Sequence, residues 1–81
     1  MARPSPKHSG NPALASIGKT VRAIRKVQGF SQEDLALATD MDRSHIGGIE
    51  RGEHNLTVLN LARIASVLGT SAGELLTQSG V

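Results

Sequence analysis

Residues 32–52 read QEDLALATDMDRSHIGGIERG, and the fold turns on the break in the middle of that stretch. Ser31 followed three residues later by Asp34 fits the capping-box pattern, in which each side chain bonds the other's backbone N–H to open a helix. Leu35 and the small Ala36 and Ala38 suit close approach by a second helix, and the pattern stops at Thr39 and Asp40. Asp42 is a good N-cap for another short helix, which runs to Arg51 and closes at Gly52. A link of only about four residues, Thr39 to Asp42, forces the two helices to cross steeply, which is helix-turn-helix geometry.

The second of these helices has two distinct sides. At about 100° per residue, Ile46 and Ile49 share one narrow sector and must face a core. Arg43, Ser44, Gly47, Gly48 and Arg51 lie opposite them. Each helical glycine costs roughly 0.5–1 kcal/mol relative to alanine, so two adjacent ones on an outward face need a compensating reason. Close docking of the helix backbone against a ligand as broad as duplex DNA supplies one; crowding by a neighbouring helix is the alternative.

Every other segment also reads as helix. Asn11-Pro12 provides an N-cap and a proline at the first helical position. Leu14, Ile17, Val21 and Ile24 then form one apolar stripe, with Lys19, Arg22 and Lys26 on the opposite side and Gly29 just past the end. Thr57 caps a fourth helix that Gly69 ends, and Ser71 with Glu74 opens a final turn or two through Thr77. No strand alternation appears. The expectation is an all-α, compact five-helix bundle over 11–78, with a basic, disordered arm at 1–10 and a short tail at 79–81.

Composition narrows the function. A chain of 81 residues with no cysteine forms one domain without disulfides or thiolate metal sites. It has no apolar run of the roughly 18 residues that a membrane span needs and no hydrophobic leader, so a cytoplasmic location is expected. The net charge of +2 is mild, but Arg3, Lys7, Lys19, Arg22, Arg25 and Lys26 all precede the first acidic residue, Glu33. One Phe and no Trp or Tyr argue against stacking on single-stranded bases. Catalysis finds no support: Ser44 and His45 are helix neighbours pointing about 100° apart, so they form no nucleophile–base pair. His45, Glu50 and His54 match no metal-ligand spacing, and no cofactor is expected.

With these residues in place, the stretch from Gln32 to Gly52 resembles the helix-turn-helix of phage-repressor/Cro-type proteins, the XRE family. The likeness carries Gln32, Leu35, Ala36, Ile46, Ile49, Glu50 and Gly52 in register and extends over roughly Ile17 to Leu76. Within that family, DRSHIGGIERGEHNLT (42–57) is similar to the controller proteins of restriction–modification systems. The resemblance implies a lambda-repressor-like fold and a transcriptional regulator that reads double-stranded operator DNA through the major groove.

It also implies roles for individual residues. Gln32 corresponds to a phosphate-binding position, and Arg43 and Ser44 to the main base-reading positions, where Gly47 and Gly48 leave the helix face bare. Arg51, His54 and Asn55 correspond to contacts with the sugar-phosphate backbone or a groove edge, and Arg25 with Glu50 to an ion pair joining the first helix to the recognition helix. Asp40 departs from the glycine or asparagine common in the turn, and aspartate adopts the left-handed conformation only at some strain.

A single recognition helix touches too few base pairs for an operator, so a homodimer is expected, with half-sites about one turn (~34 Å) apart. Leu61, Ile64, Leu68, Leu75 and Leu76 are expected at the dimer contact because the last two helices are apolar on several sides; internal packing is the alternative. No second domain, and so no small-molecule effector, is expected. The competing reading is a protein-interaction module, such as an antitoxin, built on the same fold.

Overall fold

Asn11 starts the first helix by accepting a hydrogen bond from the Ala13 amide (2.9 Å), and Pro12 fills a position whose N–H has no helical partner. The computed structural model describes residues 10–81. It contains α1 (Pro12–Val27), α2 (Gln32–Thr39), α3 (Arg43–Glu50), α4 (Val58–Val67) and α5 (Ala72–Ser79), with no strand among the described residues.

Most of the predicted caps form; the exceptions are Asp42, whose side chain makes no capping hydrogen bond, and Ser71–Glu74, where only the serine half of the box is present. Ser31 and Asp34 form the full capping box, at 3.0 and 2.9 Å. Thr57 accepts from the Asn60 amide and Ser71 from the Glu74 amide, each at 3.1 Å. α2 ends on Asp40, which takes the left-handed conformation (φ 56°) and is the one non-glycine residue at positive φ among those described. The α2–α3 link is therefore Asp40, Met41 and Asp42, and α2 packs directly on α3. Asp42 flanks α3 in the expected place, with its backbone extended (ψ 141°) rather than helical.

One core joins all five helices. Val21, Leu35, Ile46, Ile64 and Leu75, one from each helix in chain order, are fully enclosed at its centre. α1 lies against α3 and α5, while α4 bridges α2 and α5. Gly18 sets the closeness of α1 to α3: a Cβ there would run into the backbone carbonyls of Ile49 and Glu50. Gln28 closes the far end of α1 by donating from Nε2 to the Leu68 carbonyl at 2.6 Å.

Two expectations need correction. Leu61, Ile64, Leu68 and Leu75 are not at the surface but in the protomer's own core, and Leu76 is half-buried against it. Five helices converging on one centre take up more apolar side chains than a single helix face suggests. The exposed large apolar residues of α4 are instead Val58 and Leu59, 77% and 78% accessible. The second correction is at the C-terminus, where α5 runs to Ser79 and ends on a left-handed Gly80, so that 79–81 is the helix end rather than a separate tail. The expected arm lies outside the described residues except for Gly10, whose N–H donates to the Gly52 carbonyl at 3.3 Å.

Candidate nucleic-acid interface

The site is built on a buried ion pair. Arg25 of α1 meets Glu50 of α3 at two points, Nε to Oε2 at 2.6 Å and Nη2 to Oε1 at 3.0 Å, while its Nη1 donates to the Phe30 carbonyl at 2.8 Å. The bidentate geometry suits a guanidinium facing a carboxylate. Hydrogen bonding to Glu50 holds the Arg25 proton more tightly than usual, outweighing the opposing effect of burial. The pair anchors the C-terminal end of the recognition helix to α1, as the sequence resemblance implies.

From Glu50 the network runs outward. Gln32, the first residue of α2, donates from Nε2 to Glu50 Oε1 at 3.0 Å, which turns its amide oxygen toward Arg43. Arg43 Nη1 reaches that oxygen at 3.4 Å from the start of α3. Arg43 is exposed and Ser44 half-buried. A chain of side chains thus connects α1, through Glu50 and Gln32, to the guanidinium at the tip of the recognition helix. Among the described residues, every buried side-chain nitrogen or oxygen has a hydrogen-bond partner.

Beside this chain opens a polar cleft lined by Arg22, Arg25, Gln32, Gly47, Glu50 and Arg51. Arg51 is bound by Glu53 (Nε to Oε2 3.0 Å, Nη2 to Oε1 3.2 Å). That contact raises the Arg51 pKa and lowers that of Glu53. Arg22 carries no assigned contact in the sequence reading. Its place beside Gln32 and Arg51 follows from how α1 crosses α3, and its only advance signal is a basic residue opposite the apolar stripe of α1.

The two helical glycines are not the bare outward surface their spacing suggests. Both are buried, because residues after α3 fold back over them. A Cβ on Gly47 would lie 3.0 Å from Arg51 Nη1 and 3.5 Å from Gln32 Oε1. A Cβ on Gly48 would occupy the place of the His54 imidazole. Helical spacing alone does not reveal cover that comes from a turn beyond the helix. His54 in turn stacks on His45, with ring centroids 4.9 Å apart and planes inclined by 27°. Asn55, on the same turn, is exposed.

No group of three or more His, Cys, Asp or Glu among the described residues could hold a metal ion. No helix among them is long and apolar enough to cross a membrane.

This arrangement defines a helix-turn-helix module with a cationic tip on its second helix. The chain belongs to the helix-turn-helix family, whose model matches residues 21–75, and within it to the phage-repressor/Cro type. It is 38% identical over 65 residues to the control protein C.SmaI of Serratia marcescens, covering 80% of this chain and 77% of that protein. The restriction–modification controller protein C.AhdI of Aeromonas hydrophila has a similar fold: TM-score 0.74 and 39% identity over 76% of this chain and 94% of that one. C.Esp1396I, solved bound to a 25 base pair operator site, gives a TM-score of 0.72 at 36% identity over 83% of this chain and 92% of that one. These relatives are regulators rather than enzymes.

Proposed function

We propose that this protein is a transcriptional regulator that binds an inverted-repeat operator as a homodimer, in the cytoplasm, and works by occupancy rather than catalysis. The observation that carries the reading is the exposed Arg43 at the N-terminus of α3, steered by Gln32, which the buried Arg25–Glu50 pair holds in turn. A preoriented guanidinium at that end of a recognition helix suits a bidentate contact to guanine O6 and N7 in the major groove. Ser44, one residue on, reads the adjoining edge.

Gln32, Arg22 and Arg51 surround the cleft beside the tip and are placed for backbone phosphates, and exposed Asn55 extends that line. His54 borders the same edge from its seat over Gly48. Because Gly47 and Gly48 are covered, base reading falls to Arg43 and Ser44, and DNA shape supplies the remaining selectivity. The likeness to controller proteins, one of them solved on an operator, supports the same reading and favours a role in controlling a restriction–modification system. The dimer contact is assigned to the exposed Val58 and Leu59 of α4 together with half-buried Leu76, in place of the leucines and isoleucine enclosed in the core.

Selection from randomised duplex DNA at near-physiological salt tests the proposal, with wild type and Arg43→Ala compared on the selected sites. The expected result is an inverted repeat with half-sites about one turn apart. The substitution should cost ~1–3 kcal/mol and relax preference at one base pair per half-site. Binding that shows no motif and vanishes steeply with salt would leave only phosphate contacts and overturn the proposal.

A further inference from the structure

The stacked histidines lie outside the Arg25–Glu50–Gln32 network, and the sequence pairs neither with the other. His45 projects from the first half of α3, and His54 sits in the turn that follows it. The His54 ring rests in the space that only a glycine at position 48 leaves open. The same turn is tied to the helix by its backbone, since the Glu53 amide donates to the Gly48 carbonyl at 2.9 Å. Gly48 therefore receives both a backbone bond and an aromatic ring from one turn.

We propose that His54 is a positioning residue that clasps the 51–55 turn onto the recognition helix, and that the clasp loosens when the His45–His54 pair takes up protons. The clasp belongs to the free protein, but its consequence for DNA rests on the operator-binding reading, because the turn carries Arg51 and Asn55. Two imidazoles stacked at 4.9 Å repel one another when both are charged. The charged and titratable groups facing His54 are His45 from α3 and Arg51 and Glu53 from its own turn. Burial pushes the His54 pKa below its ordinary value, and the charges of His45 and Arg51 push the same way against Glu53.

The closed turn binds its proton more weakly than an open one, so acid favours opening. The clasp is at full strength above the ordinary imidazole value of about 6.5 and weakens as the pH falls through the lower value of the closed state.

The test is an NMR titration of the free protein from pH 8 to 5, following the histidine ring protons and the backbone amides, with circular dichroism as a check on folding. The expected result is a His54 midpoint below the ordinary value, with the amides of 51–55 moving at the same midpoint and the core amides unchanged. His45→Gln should raise the His54 midpoint, which a merely structural contact would not do. Gly48→Ala should displace the ring and give the 51–55 amides their acid-state shifts already at pH 8. A His54 ring that titrates at the ordinary value in both wild type and His45→Gln overturns the proposal. So does a turn whose amides stay fixed while the ring titrates. No DNA is present, so failure of the operator-binding reading would show in the selection and not here.

Discussion

Arg25 and Glu50 face each other across the α1–α3 contact with side chains only 8% and 2% accessible, bonded at 2.6 Å. The two lie 25 residues apart in the chain, and the pair ties the first helix to the recognition helix.

Removing one partner strands the other. Glu50→Ala leaves the buried Arg25 guanidinium without its counter-charge and should cost about 3–5 kcal/mol, comparable to the whole stability of so small a domain. Urea denaturation followed by circular dichroism measures this. Replacing both residues with methionine should recover most of the loss, and a double variant no better than Glu50→Ala would show that the pair itself, rather than the stranded charge, carries the stability.

Gly18 and Gly73 are both helical but should respond oppositely to alanine. At Gly18 the new methyl meets backbone, 2.6 Å from the Glu50 carbonyl oxygen, and the helices must part, at a cost of about 1–3 kcal/mol. At Gly73 the nearest atom is Ser71 Oγ at 3.9 Å, so alanine should raise stability by about 0.5–1 kcal/mol through helix propensity. Denaturation midpoints of the two variants decide both signs.

Asp40 holds a left-handed conformation that glycine adopts freely. Asp40→Gly should stabilise the domain, by about 1 kcal/mol on the strain of that conformation. It also removes an acidic group from the helix-turn-helix link, so non-specific duplex binding should strengthen at low salt. Fluorescence anisotropy with an unrelated duplex reads the second effect, and unchanged affinity would place Asp40 too far from the phosphates to matter.

Hydrogen bonds from the Ser31 amide and hydroxyl lower the Asp34 pKa. The cap's contribution is therefore present above the unfolded carboxylate value of about 3.9 and is lost as the pH falls through the lower folded value. Asp34→Asn should flatten that acid-side slope, measured as denaturation midpoints between pH 5 and 2.

If Val58 and Leu59 form the dimer contact, Leu59→Glu should yield a folded monomer at micromolar concentration. Analytical ultracentrifugation shows the outcome, and a persistent dimer would move the contact elsewhere.

The helices were legible because their signals are local. Asn11, Ser31, Thr57 and Ser71 each bond an amide two or three residues away, within reach of a reading along the chain. The roles proposed for Gln32 and Arg43 come only from resemblance, and their mutual contact spans 11 residues. What escaped depends on residues that meet across the fold. Gly18 had no visible reason to be small until α3 was laid against it, and Gly48 looked bare until His54 came round from the following turn. The burial of Leu61, Ile64, Leu68 and Leu75 depended on the joint demand of all five helices, which no single helix face reveals.

The contact at Gly18 separates aim from address. α3 is set at its angle by main-chain atoms of Ile49 and Glu50 resting on a helix with no side chain in between, so its tilt is insensitive to the residues at its tip. On the base-reading role proposed for them, positions 43 and 44 can therefore change while the helix keeps pointing the same way. A lineage built on this joint could change its target one substitution at a time without losing its fold along the route.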